Sequence, residues 1–134
     1  MKGFICAIII LALLFTGAFI YVHKLEELVS SLEDHIQKIE DSARDDHWEQ
    51  CMTEIDRTIE HWNEIQIRLK AFIEHRELDE IHRRIVEVKS YAEFSDKENL
   101  LVSIEMLKTL VGHIPENEKL TLENILYTKI HRIT

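Results

Sequence analysis

The sequence predicts an all-α protein, an N-terminal transmembrane helix followed by an antiparallel helical bundle of about four to five helices. Three observations carry that expectation. Residues 4–22 run without a single charged side chain. Glycine and proline number only three and one in 134 residues, too few for a chain of many turns and consistent with nearly continuous helix. Beyond residue 22 the apolar residues recur at steps of three and four, the spacing that keeps one stripe on one helix face.

The apolar run extends from Phe4 to Val22. As a helix it measures about 28 Å, close to the hydrocarbon thickness of a bilayer. Most of its side chains are Leu, Ile, Phe or Val, which favours insertion by roughly 4 to 7 kcal/mol on a biological scale. Tyr21 stands where interfacial aromatic residues stand. The competing reading is a secretory signal peptide, with Lys2 as the positive leader and cleavage after Ala18. Against cleavage, Phe19-Ile20-Tyr21-Val22 continues the apolar run past that site, making it longer than a signal core and long enough to span. The sequence is therefore read as an uncleaved signal-anchor over residues 1–22 and an acidic bundle domain over residues 23–134. Lys2 and the free amino terminus precede the span, while His23, Lys24, Glu26 and Glu27 follow it. This favours a single-pass protein of the cell membrane with the N-terminus inside and the body outside.

Residues 23–134 contain all 25 acidic residues and 15 of the 16 basic ones, a net charge of −10. That balance argues against nucleic acid and against anionic lipid surfaces as general partners. The body has the size of one domain. Cys6 falls within the span and Cys51 outside it, so no intramolecular disulfide is expected.

The elements follow in order. Leu25, Val29, Leu32, Ile36, Ile39 and Ala43 form one stripe, and the anchor is expected to run into this helix without a break. The polar interval Glu40–Asp46 then puts Trp48 out of phase, which predicts a turn with Asp45 or Asp46 as the next N-cap. A stutter in one long helix is the alternative, because neither Gly nor Pro marks the site. In the second helix Trp48, Ile55, Trp62 and Leu69 recur every seven residues, interleaved with Cys51/Met52, Thr58/Ile59, Ile65 and Phe72/Ile73. Four heptads define a buried seam and explain the repeat of His47-Trp48-Glu49 at His61-Trp62-Asn63-Glu64 by packing rather than by ligand stacking. Leu78, Ile81, Ile85, Val88 and Ala92 mark a third helix. Ser95-Asp96-Lys97-Glu98 has the form of a capping box, with Ser95 as N-cap and Glu98 three residues on. The fourth helix carries Leu100/Leu101, Ile104, Leu107, Val111 and Ile114. Gly112 suits its end and Pro115 the first turn of a short fifth helix with Leu120, Leu122, Ile125, Leu126 and Ile130. None of these amphipathic pieces can bury its stripe alone.

Few groupings suggest chemistry. His75, Asp79 and His82 are spaced i, i+4, i+7 and could offer two imidazoles and a carboxylate to a metal from one helix face. On a helical projection, however, Asp79 falls on the solvent side, well away from the centre of the apolar face, so solvated side chains explain the pattern without a metal. Asp79-Glu80-Ile81-His82 echoes half of a di-iron carboxylate motif whose other half is not evident. His47, His61, His75 and His82 share one heptad phase, which raises the expectation that bundle packing responds to acid. Cys51 reads as a small buried residue rather than a nucleophile. With no CxxC, no HExxH and no phosphate-cradling Gly loop in the sequence, neither an enzyme nor a cofactor is expected.

At Ile73-Glu74-His75-Arg76-Glu77-Leu78-Asp79, and again from Gly112-His113-Ile114-Pro115-Glu116 through Leu126, the chain resembles the bacterial family called domain of unknown function 4363. The resemblance extends over length, a single N-terminal span and an Ile-, Glu- and Leu-rich helical body. It implies, by the family's usual setting, a multi-span membrane partner in the same membrane, and it transfers no catalytic residue.

The functional expectation is a structural or interaction protein that engages a partner membrane protein or itself at the outer face. The rivals are an extracytoplasmic sensor acting through a partner and, last, a metal-dependent enzyme.

Overall fold

A computed structural model of the chain describes residues 1–71 and 73–133, with side chains described for all of these except 115, 117–123, 125, 126 and 129–133. Its elements are α1 (Lys2–Arg44), α2 (Trp48–Leu69), α3 (His75–Glu93) and α4 (Lys97–Ile133). Consecutive helices turn back on one another, and α1 also packs against α4, closing the cycle α1–α2–α3–α4 into an up-and-down bundle.

The anchor and the first bundle helix are one uninterrupted 43-residue helix, about 64 Å long. Its two halves have different surroundings. From Phe4 to Ile20 the large apolar side chains are exposed all round, and this helix is long and apolar enough to cross a membrane. Thr16 donates its hydroxyl to the carbonyl of Ala12 at 2.8 Å, so it presents no unsatisfied donor to an apolar medium. From Leu25 onward only one stripe is buried, Leu25, Val29, Leu32, Ile36, Ile39 and Ala43, as the spacing predicts.

The opposing helices supply Ile55, Trp62, Ile65 and Leu69, then Leu78, Ile81, Ile85, Val88 and Ala92, then Leu100, Ile104, Leu107, Val111 and Ile114. Trp48 is half-buried against the same core. Trp62 is fully buried, which makes it a core residue. Ile73 is also buried but lies in the α2–α3 turn, past the end of α2. Phe72, which shares its place in the heptad pattern, lies outside the described residues.

The two turns at the far end from the apolar run share one construction. After α1, the His47 N–H donates to Ser42 O at 2.9 Å and the Asp46 N–H to Ala43 O at 3.2 Å. After α3, the Asp96 N–H donates to Tyr91 O at 2.9 Å and the Ser95 N–H to Ala92 O at 3.0 Å. Both are Schellman motifs. The left-handed residue in each is not glycine but Asp46 (φ 57) or Ser95 (φ 52). Short polar side chains tolerate that conformation, which is why a turn forms after Arg44 with neither Gly nor Pro to mark it.

Three local expectations are corrected. The N-cap of α2 is His47, without a side-chain cap bond, because Asp46 is committed to the left-handed position. The cap of α4 is shifted one residue for the same reason: Ser95 is left-handed, so Asp96 takes the cap, its Oδ1 accepting the Asn99 N–H at 3.3 Å and its Oδ2 the Asn99 side-chain amide at 2.7 Å. Finally, α4 does not stop at Gly112. No glycine adopts positive φ, so the left-handed cap that would end the helix is not formed, and α4 continues to Ile133. The described residues therefore form four helices. The side chains of Leu120, Leu122, Ile125, Leu126 and Ile130 lie outside the described residues.

Candidate functional site at the junction of span and bundle

His75, Asp79 and His82 are all exposed on α3. Among the described residues no group of three or more His, Cys, Asp or Glu is placed to hold a metal ion. The shared heptad phase of the histidines divides between helices: His47 caps α2 in solvent, His75 and His82 stand exposed on α3, and only His61 is half-buried.

His61 meets His35 of α1, their ring centroids 4.8 Å apart and tilted by 41°. His35 Nδ1 and His61 Nε2 are both buried without a hydrogen-bond partner among the described residues. Burial and the neighbouring His61 push the His35 pKa below its ordinary value, Lys38 adding to this and Glu54 and Asp34 opposing it. The pair was not legible in the sequence, since His35 flanks its stripe and its partner is on another helix.

Trp62 Nε1 and Glu54 Oε2 are likewise buried without a partner among the described residues, whereas the carboxylates Glu40 and Glu87 are paired. Glu40 is only 5% exposed. It accepts Arg44 Nη2 at 2.6 Å and also binds Lys108 Nζ from α4, which in turn reaches Gln37 Oε1 at 2.9 Å. Burial alone would raise the Glu40 pKa, but Lys108 and Arg44 overcome it and hold the carboxyl below its ordinary value. Between α3 and α4, Glu87 accepts Arg84 Nη1 at 2.8 Å and the Ser103 hydroxyl at 3.1 Å. These arrangements clamp helices together and present no reactive group. Cys51 is fully buried, and burial pushes its thiol up to about 11, which removes it as a nucleophile at neutral pH.

A cavity of about 450 Å³ opens where the apolar run meets the bundle, with Tyr21, Lys24, Leu25 and Leu28 of α1 facing Arg68 and Leu69 of α2. His61 lines it as well, as does Glu27, which lies 3.7 Å from His23 Nε2. The stripes predict Leu25 and Leu69 of this wall but not Leu28. The meeting of its cations is not legible in the sequence, because Lys24 and Arg68 belong to separate helices and nothing in their spacing joins them.

No curated protein and no solved structure matches the chain. A family model described as Domain of unknown function (DUF4363) matches residues 19–125, which takes in the last part of the apolar run and all four bundle segments. The chain belongs to that family.

Proposed function

We propose that this chain is a non-enzymatic, membrane-anchored interaction protein: residues 4–22 cross the membrane and the acidic bundle stands at the outer face, where it engages a partner membrane protein or a second copy of itself. The observation that carries this reading is the continuity of α1, whose exposed apolar half and core-forming half are one helix without a hinge. Such a rod ties the bundle's position to the bilayer. A bundle clamped by Glu40 and Lys108 has the rigidity of a docking element rather than the mobility of a tether.

A second reading, a sensor bundle acting through a partner, is supported by the cavity at the junction, since a ligand there would touch α1 just beyond the span.

The test is fractionation followed by crosslinking in native membranes and mass spectrometry. The expected result is a chain that resists carbonate extraction and forms a reproducible adduct with one membrane protein or with itself. Full-length material in the soluble fraction, or a mature N-terminus near residue 19, would refute the anchored reading. An embedded chain with no reproducible adduct would refute the interaction role.

A further inference from the structure

The junction cavity has two kinds of wall. Leu25 and Leu69 are buried and Leu28 half-buried, whereas Lys24 and Arg68 are exposed at its rim. Along α1, Tyr21 and Leu28 are about 10 Å apart. The headgroup layer of a leaflet is about 5 to 8 Å thick. If the hydrocarbon boundary lies at the end of the apolar run, the lower part of the cavity sits at headgroup depth.

The charges point the same way. Lys89 and Lys108 each bind a carboxylate on another helix, and Lys97 binds Asp46 in the α1–α2 turn. Lys24 and Arg68 have neither an ion-pair nor a hydrogen-bond partner among the described residues. Among the described residues the one carboxylate lining the cavity, Glu27, stands beside His23. Of the body's net charge of −10, residues 41–49 and 93–98, with two cations and seven carboxylates, carry −5 at the far end of the bundle. The far end of the bundle is about 30 Å away along α1, more than three Debye lengths at physiological salt.

We propose that this cavity binds the headgroup of an anionic phospholipid from the adjoining leaflet, its phosphate held between Lys24 and Arg68 and the start of its acyl chains against Leu28 and Leu69. An inorganic anion would use the cations and leave the leucine wall bare, whereas a phospholipid uses both. The inference rests on the anchored reading and names the ligand class of its junction.

The test uses the full-length chain in nanodiscs of phosphatidylcholine containing one phosphatidylglycerol in ten, released into mild detergent and weighed by native mass spectrometry. The expected result is phosphatidylglycerol retained above its bulk ratio. Lys24→Gln and Arg68→Gln each weaken retention about fivefold and the double variant about thirtyfold, while Lys38→Gln, remote from the cavity, leaves it unchanged. Retention at the bulk ratio, equal loss in Lys38→Gln, or displacement by millimolar inorganic phosphate would overturn the proposal. A chain that enters the nanodisc without enriching the lipid refutes this inference alone. A chain that never enters refutes the anchored reading as well.

Discussion

The two ends of the bundle solve different problems. The far end, where α1 passes to α2 and α3 to α4, is closed by two Schellman turns of the same construction and strapped by Lys97 to Asp46 at 3.1 Å. Residues 41–49 and 93–98 there hold two cations and seven carboxylates. The near end, next to the apolar run, holds four of each over residues 23–28 and 66–77, and contains the cavity with Lys24 and Arg68, unpaired among the described residues. These near-end segments of α1, α2 and α3 are thus electrically balanced, while α4 runs on past Gly112 and adds Glu116. The comparison teaches that net charge describes the body poorly: its distribution along α1 decides what each end can meet.

The largest test of the contrast is in the core. Ile39 is fully buried toward the far end, whereas Leu25 borders the cavity. Ile39→Ala is expected to cost about 4 kcal/mol and Leu25→Ala about 2 kcal/mol, because a side chain beside empty space forfeits fewer contacts. Guanidinium unfolding of the full-length chain in micelles reads the difference, and equal losses would mean that the near end is packed as densely as the far end.

Next in size is Lys108→Met. It strands the buried Glu40 carboxylate with Arg44 alone and is expected to cost about 1.5 kcal/mol. A pKa of Glu40 that did not rise in the variant, followed by carboxyl NMR, would contradict the clamp.

Acid should loosen the bundle in two stages. His35 has a folded pKa below the ordinary 6.5, so the stability that its neutral form contributes is present above that pH and lost as pH falls through the folded value. His61 and Glu54 of α2, with Lys38 and Asp34 of α1, are the charged or titratable groups acting on it. Glu40 and Glu87 titrate below their ordinary 4.5, so their contribution is lost only below that pH. His35→Gln should abolish the first stage in a thermal-melt profile and leave the second; an unchanged profile would assign the first stage elsewhere.

The two smallest effects test the helix ends. A Cβ on Gly112 would meet Glu33 Oε1 at 3.6 Å, an ordinary contact. Gly112→Ala should therefore stabilise by about 0.5 to 1 kcal/mol in a continuous helix, whereas a left-handed cap at Gly112 would make it destabilising. Ser95→Gly relieves a left-handed serine and should gain about 0.5 kcal/mol. A loss in the melt would show that Ser95 does not bear that strain.

The stripes were legible because a buried helix face leaves a periodic trace: every residue read onto the first and third stripes, from Leu25 to Ala43 and from Leu78 to Ala92, is buried. The turns were legible as interruptions but misplaced by a residue or two, since Asp46 and Ser95 occupy a position usually marked by glycine. The burial of Glu40, which opens a polar interval, was not legible, because only the approach of Lys108 from α4 makes it tolerable. The cavity and the His35–His61 contact left no trace, since each joins helices whose relative height no single helix encodes.

Helix, apolar run, stripe and overall charge are local or summed properties, and this sequence determined them unaided. Which side chains meet across helices, where the buried carboxylate finds its cation, and which cations remain unpaired beside a cavity depend on the register of four packed rods. That register emerges only when their faces interlock, so the tertiary structure alone decided it.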